Sequence, residues 1–415
     1  MAIALRRAVR RCGMDKPFDL IVFGATGFTG RLVAEYLLQT HGVGKTLRWA
    51  MAGRSLDKLA ATRSELGAPQ ALPLLRADAG NAASLAALVA QAKGVISTVG
   101  PYQLHGEALV RACADAGTDY VDLCGEPLWM ARMIERHQAA ARASGSRIVF
   151  SCGFDSIPFD LGVVFLQAEA QRRFGRPLQR VRGRVAVMKG GFSGGTMASA
   201  LATVQAIGRD RGLARLLADP FALTPGFRGP AQPEGDSAAY DDAAQAWTGP
   251  FVMAAINTKN VHRSNALRGH PWGSDFVYDE RMLARSEGHA RAMARTAKLQ
   301  AAALGFGPAR ELLRRFVLPK PGQGPSRHER DSGRYEVLFI GDTAQGQRLR
   351  ARVRGDRDPG YGSTCKLISE SALCLTQDST PAMAGGGIWT PGAAMGLALV
   401  RRLQANAGLS FALED

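Results

Sequence analysis

Two spacings of apolar residues take turns along the first third of the chain. The run Leu20 to Phe23 is continuous, apolar and β-prone, and it stops at Gly24. Arg31-Leu-Val-Ala-Glu-Tyr-Leu-Leu38 then places its apolar residues on one helical face. The exchange repeats, with strands expected at 47–52, 71–76, 94–99, 118–122 and 147–150. Helices are expected at 56–66, 82–92, 104–116 and 127–143. This order predicts an α/β fold, a Rossmann-type doubly wound parallel sheet with helices on both faces and right-handed crossovers. From Val181 the rhythm changes, because 181–188 alternates like a half-exposed strand and 190–196 reads as a glycine-rich turn into a helix. Further strands are expected at 251–256, 275–279, 334–340 and 347–353, the last two as a hairpin. They predict an inserted α+β second domain on a mixed or antiparallel sheet. The stretch 219–250, rich in Pro, Gly and Asp, reads as an insertion or mobile lid. Helix returns at 361–376 and 391–404, and no internal repeat is found.

Strand, glycine turn and helix in that order give Gly24-Ala25-Thr26-Gly27-Phe28-Thr29-Gly30 the context of a dinucleotide fingerprint, although an ordinary strand–helix turn is the plainer alternative. Gly24 would permit the tight turn, Gly27 the approach of a pyrophosphate, and Gly30 close packing of helix on strand. The phosphates would rest on N–H groups at the positive end of the helix dipole. The next strand ends at Gly53-Arg54-Ser55, with no carboxylate to accept from a ribose 2′-hydroxyl. Arg54 and Ser55, with Lys58 a turn later, suit a 2′-phosphate and predict NADP(H); a solvated loop with a serine cap is the alternative. Asp78 would face the adenine amino group. Val99, Gly100, Pro101 and Tyr102 close the fourth strand at the nicotinamide end. The domain division follows: an N-terminal extension outside the fold (1–15), an NADP-binding Rossmann domain (16–178), the inserted substrate domain (179–358), and C-terminal helices returning to the first domain (359–415).

Composition narrows the class. With 46% hydrophobic and 21% charged residues among 415, the chain reads as a globular protein of about two domains. No apolar run has the length of a membrane span. Its six cysteines show no zinc-type spacing and no Cys-x-x-Cys, so no metal is expected and a reducing cytoplasm suits them. The formal charge of +16 is compatible with an anionic partner, but no nucleic-acid motif accompanies it and none is expected to bind. A coding bias toward arginine explains the charge equally well. Four arginines fall within the first eleven residues, without the apolar stretch of a targeting peptide.

Five further motifs occur in a fixed order with the fingerprint: Ala52-Gly-Arg-Ser55, Val99-Gly-Pro-Tyr102, Cys124-Gly-Glu126, Cys152-Gly-Phe-Asp-Ser-Ile-Pro158 and Thr390-Pro-Gly-Ala-Ala-Met395. With Ser193-Gly-Gly-Thr196, Asn257, Arg263-Ser-Asn265 and Gly324-Pro-Ser-Arg327, they make the chain resemble the saccharopine dehydrogenase-like oxidoreductases, closest to their trans-acting enoyl reductase branch. The resemblance implies NADP(H) on a Rossmann domain and reduction of an enoyl thioester carried by an acyl or polyketide synthase. A saccharopine-type imine or amino-acid dehydrogenase is the second reading, although the matched arginines that would clamp a dicarboxylate are not recognisable. A non-catalytic NADP(H)-binding adaptor at lipid surfaces is the third.

Enoyl reduction needs a donor to the thioester oxygen and a proton for the α-carbon. Tyr102 is the candidate donor, with a ring merely packed over the cofactor as its alternative. His105 is a candidate proton source. Asp155 and Ser156 either contact substrate or cap the next helix, and Thr196 would line the pocket from the second domain. Lys189 is a further candidate of that kind. Residues 281–320 carry Arg281, Arg285, Arg291, Arg295 and Lys298 between apolar positions, and read as two basic amphipathic helices. They would dock an acidic carrier protein, rest peripherally on an anionic membrane, or simply pack on their own domain. A homodimer is the remaining expected partner.

Overall fold

The structure, a computed structural model, describes residues 16–414 except 45, 191–193, 211, 306–323 and 381; for 194–198, 200 and 209 only the backbone is described. The continuous apolar run becomes strand β1 (Phe18–Phe23), buried on both faces from Leu20 onward. Strands β2 (Trp49–Gly53), β3 (Leu74–Arg76), β4 (Ala92–Ser97), β5 (Asp119–Asp122) and β6 (Arg147–Val149) alternate with helices. With β13 (Gly387–Trp389) they form one parallel sheet in the order β13-β6-β5-β4-β1-β2-β3. The order reverses beside β1, so ligands of such a sheet bind across the carboxyl ends of β1 and β4.

The second sheet holds β7 (Arg180–Lys189), β8 (Ala239–Asp241), β9 (Ala246–Gly249), β10 (Val277–Ala284), β11 (Arg334–Asp342), β12 (Arg348–Gly355) and β14 (Leu409–Glu414). Its order is β14-β12-β11-β7-β10-β9-β8, antiparallel except where β10 runs parallel to β7. Helix Ile157–Phe174 leaves the first sheet and packs beneath the second. A Cβ on Gly162 would lie 2.3 Å from the Phe339 ring, so glycine is what lets helix and sheet meet there. The predicted class of fold is the observed one.

Three expectations are corrected or narrowed. Residues 251–256 do not form a strand: a turn leads into helix Ala254–Leu267, which is buried almost all the way round. Asn257, Lys259, Asn260, His262, Arg263, Ser264 and Asn265 are all at most 4% exposed, which erases the one-sided pattern that identifies a helix from sequence. Of the two readings of 219–250, the structure favours an insertion fastened to its surroundings. Arg263 donates to Leu223 O, Arg281 donates to Ser237 O and Glu234 O, and the β8–β9 hairpin extends the second sheet. Finally, the C-terminal part does not return wholly to the first sheet, since β14 pairs with β12 of the second.

The basic 281–320 region also divides. Arg281 belongs to β10 and is buried, and helix Glu287–Gly305 is the first expected helix. The second falls outside the described residues.

Candidate functional site

Gly24 turns the chain off β1 with φ +91°, where L side chains are strained. A Cβ there would also meet Thr98 Oγ1 and Val99 Cγ2 at 2.7 Å, and one on Gly30 would stand 2.2 Å from Gly24 O. Packing therefore demands both glycines. Gly27 differs, because a Cβ there would meet only Gly24 O, at 3.3 Å. It begins helix Phe28–His41 with no side chain capping the first turn. An uncapped helix start beside an open glycine is a cradle for phosphate, and the turn fits a dinucleotide.

Around it the expected residues divide. Ala25 is buried, and Thr26 and Gly27 are exposed. The Phe28 ring turns to the C-terminal part of the chain, edge-on to Tyr361 at 4.7 Å, with the Arg31 and Arg330 guanidinium groups over it at 5.7 and 5.8 Å. Phe28 and Thr29 can thus serve a phosphate through their backbone, at the helix start, while the Phe28 ring is a fastening. Arg54 is exposed just after β2. Ser55 accepts from Lys58 N at 3.3 Å and caps the helix Leu56–Glu65. Asp78 follows β3 and is exposed, its carboxylate accepting from Gly80 N at 2.9 Å.

Beyond β4, Val99 is half-buried and Gly100 exposed, and Pro101 precedes a short helix, Tyr102–His105. The expected role of Tyr102 is corrected here. Its hydroxyl donates to Ser97 O and accepts from Leu123 N, both at 3.1 Å, and its ring lies against Trp129. Burial, with Asp122 nearby, pushes this phenol far above its usual range. Its hydroxyl fastens the end of β4 to the residue after β5 and is engaged within the protein.

What holds the short helix is Glu126, which the sequence offered only as part of the Cys124-Gly-Glu126 motif, without a role. Its carboxylate accepts from Tyr102 N (2.9 Å), Gln103 N (2.8 Å) and the Ser199 hydroxyl (2.6 Å). Ser199 lies on helix Gly194–Arg209 of the inserted domain, so one buried carboxylate joins the two halves at the candidate site. The available signal was an acid following a glycine a few residues past a buried strand.

Ser156 is corrected as well. It caps nothing: its hydroxyl donates to Asn257 Oδ1 (2.9 Å) and accepts from Asn260 Nδ2 (3.1 Å), and it is 2% exposed. Asn257 in turn donates to Glu280, which also accepts from the Tyr278 hydroxyl. Burial raises the Glu280 carboxyl to about 8. The chain Ser156–Asn257–Glu280–Tyr278 is a buried polar seam between the two sheets. Asp122 behaves similarly: burial raises it to about 7 while Cys124 N, Ser151 N and the Tyr120 hydroxyl donate to it. Two titratable candidates remain on the rim, His105, exposed, and Asp155, half-buried. Lys189, at the end of β7, is exposed, and the Thr196 side chain lies outside the described ones. The five described cysteines are buried and unpaired, and burial raises all of their thiols.

Comparison with known proteins agrees with this fold. Residues 20–149 match the family model described as the saccharopine dehydrogenase NADP binding domain. A Mycobacterium tuberculosis protein provisionally named a trans-acting enoyl reductase is 40% identical over 95% of this chain and 97% of its own length. The trans-acting enoyl reductase of Mycobacterium leprae is 38% identical over 94% and 96%. Apo saccharopine dehydrogenase (L-Glu forming) from Saccharomyces cerevisiae shares the fold, with a TM-score of 0.53 at 13% identity over 96% of this chain and 99% of that one.

Proposed function

The chain belongs to the trans-acting enoyl reductase family of saccharopine dehydrogenase-like oxidoreductases, and we propose that it reduces the conjugated C=C bond of an acyl thioester with NADPH. The observation that carries the reading is the glycine turn with an uncapped helix start, followed by exposed Arg54, in a chain similar along nearly its whole length to trans-acting enoyl reductases. Bound NADPH supplies the hydride. Gly27 keeps the phosphate approach open, the first-turn N–H groups receive the pyrophosphate, and Arg54 pairs with the 2′-phosphate. Glu126 fixes the Tyr102–His105 helix at the nicotinamide end and draws the inserted domain against it through Ser199. The proton for the α-carbon falls to the rim, where His105 and Asp155 are the titratable groups.

The deciding experiment is NADPH oxidation in the presence of an enoyl thioester, run beside an imine and preceded by parallel titrations with NADPH and NADH. Turnover of the enoyl substrate supports the reading. Turnover of the imine alone would move the protein to the amino-acid dehydrogenases, and tight NADPH binding without turnover would make it an adaptor.

The substrate is proposed to arrive on an acidic carrier protein that docks on helix Glu287–Gly305, whose open side carries Arg291, Arg295, Lys298 and Leu299, the last 71% exposed. No helix among the described residues is long and apolar enough to cross a membrane. Carrier affinity is expected to fall steeply with salt. Salt-insensitive affinity, or preferential binding to anionic vesicles, would overturn this docking.

A further inference from the structure

Phe339 of β11 meets helix Ile157–Phe174, so the even-numbered residues of that strand face the other way. That outer face of the second sheet carries a ladder of arginines and acids. Three carboxylates are each held there by two guanidinium groups: Glu336 by Arg352 and Arg354, Glu414 by Arg350 and Arg352, Asp342 by Arg182 and Arg348. At one end the ladder has a cation left over. Arg334, the first residue of β11, is exposed and has no ion-pair partner among the described residues.

Arg334 borders a cavity of about 450 Å³, which Glu336, Arg354, Asp356 and Ser410 also line. Strand register explains why these groups share it. Glu336 stands opposite Arg354, and Arg354 opposite Ser410, in one row across β11, β12 and β14. Arg334 lies two residues before Glu336 and Asp356 two beyond Arg354, which puts both on the same face, one row on. Arg354 spends only its Nε on Glu336, at 2.8 Å, and keeps both amino groups for another acceptor. Asp356 stands 3.7 Å from the Lys366 ammonium and accepts no hydrogen bond among the described residues. Gly408 gives that carboxylate its place, since a Cβ there would overlap it.

One wall of the cavity thus offers guanidinium donors and the other a carboxylate, and the two do not pair with each other. A single arginine fork satisfies the two oxygens of a carboxylate; two forks and the Ser410 hydroxyl suit the three terminal oxygens of a phosphate. Asp356 can only accept, so the far end of the ligand must donate, as hydroxyl groups do. The volume is that of a site for a small organic molecule, well beyond a bare ion. We propose that this cavity binds a small phosphorylated polyol, with its phosphate on Arg334 and Arg354 and its hydroxyls on Asp356. None of the lining residues belongs to the cofactor turn, so the site stands apart from the enoyl thioester reading.

The test is calorimetric titration of the full chain with ribose 5-phosphate, with NADPH present to fill the cofactor turn. The wild type is expected to bind it, and Arg334→Gln to bind about tenfold more weakly or worse, through loss of charge-assisted bonds. Asp356→Ala should weaken ribose 5-phosphate by a similar factor while leaving inorganic phosphate as it was. Both positions are exposed, so the melting temperatures should match that of the wild type. No binding by the wild type, or equal affinity in the wild type and Arg334→Gln, overturns the site. Inorganic phosphate bound as tightly as ribose 5-phosphate overturns the polyol, and succinate bound as tightly overturns the phosphate.

Discussion

Arg54 and Tyr102 show what a residue's chemistry reveals before its neighbours are known. The reading of Arg54 depends on local order alone: a strand, a glycine turn, a helix, a second strand, then a cation where an acid would exclude 2′-phosphate; the structure leaves that cation exposed just after β2. Arg54→Glu is expected to weaken NADPH by about 2 kcal/mol or more, the loss of a charge-assisted contact plus repulsion, while NADH changes far less. Parallel fluorescence titrations measure both, and equal losses would sink the assignment. The partners of the Tyr102 hydroxyl escaped sequence reading because Ser97 O ends β4 and Leu123 N directly follows β5, two neighbours whose adjacency sequence spacing does not reveal. Tyr102→Phe leaves one buried and one half-buried backbone group short of a partner, at about 1–3 kcal/mol each at most. The melting temperature should therefore drop while turnover in the cold survives. Turnover lost by orders of magnitude at an unchanged melting temperature would restore the hydroxyl to the chemistry.

At the level of elements, β1 and helix Phe28–His41 were readable because each buries a pattern with a clean period. Helix Ala254–Leu267 was not, because it lies between two sheets and has no wet face to set a period. Its polar side chains are legible only in pairs with distant ones, such as Asn257 with Ser156 and Glu280. That seam carries a pH dependence. The Glu280 carboxyl rises from an ordinary 4.5 to about 8 on burial, so between those values the folded chain holds a proton that the unfolded chain has lost. Its stabilising balance is complete below the lower value and is lost as pH rises through the upper one, at about 1.4 kcal/mol per unit. In Glu280→Gln this dependence disappears, so the variant should gain melting temperature relative to the wild type from about pH 5 to about pH 8 and then level off. Asp160 and Asp122, raised to about 6 and 7, titrate in both proteins and cancel from the difference. A difference that stays constant with pH would mean that Glu280 does not change charge on unfolding.

On the scale of the whole molecule, the two sheets are stitched together more tightly than a linear division into domains suggests. Helix Ile157–Phe174 packs under β11 while its first turn abuts the site, and Asp160 accepts from Ser264 and from Gly392 N. The last part of the chain contributes β13 to the first sheet and β14 to the second. Sequence reading found two sheets but not this crossing, because a short terminal strand such as 409–414 carries no local sign of which sheet it completes. The stitching predicts one cooperative thermal transition. NADPH, bound on the first sheet alone, should then shift that entire transition, by about 2.7 kcal/mol of stability at a hundredfold excess over Kd. Differential scanning calorimetry with and without NADPH distinguishes the cases. If the second sheet melted as a separate unit, two transitions would be resolved and NADPH would move only one of them. The Glu126–Ser199 bond would then be too weak to transmit cofactor binding to the inserted domain.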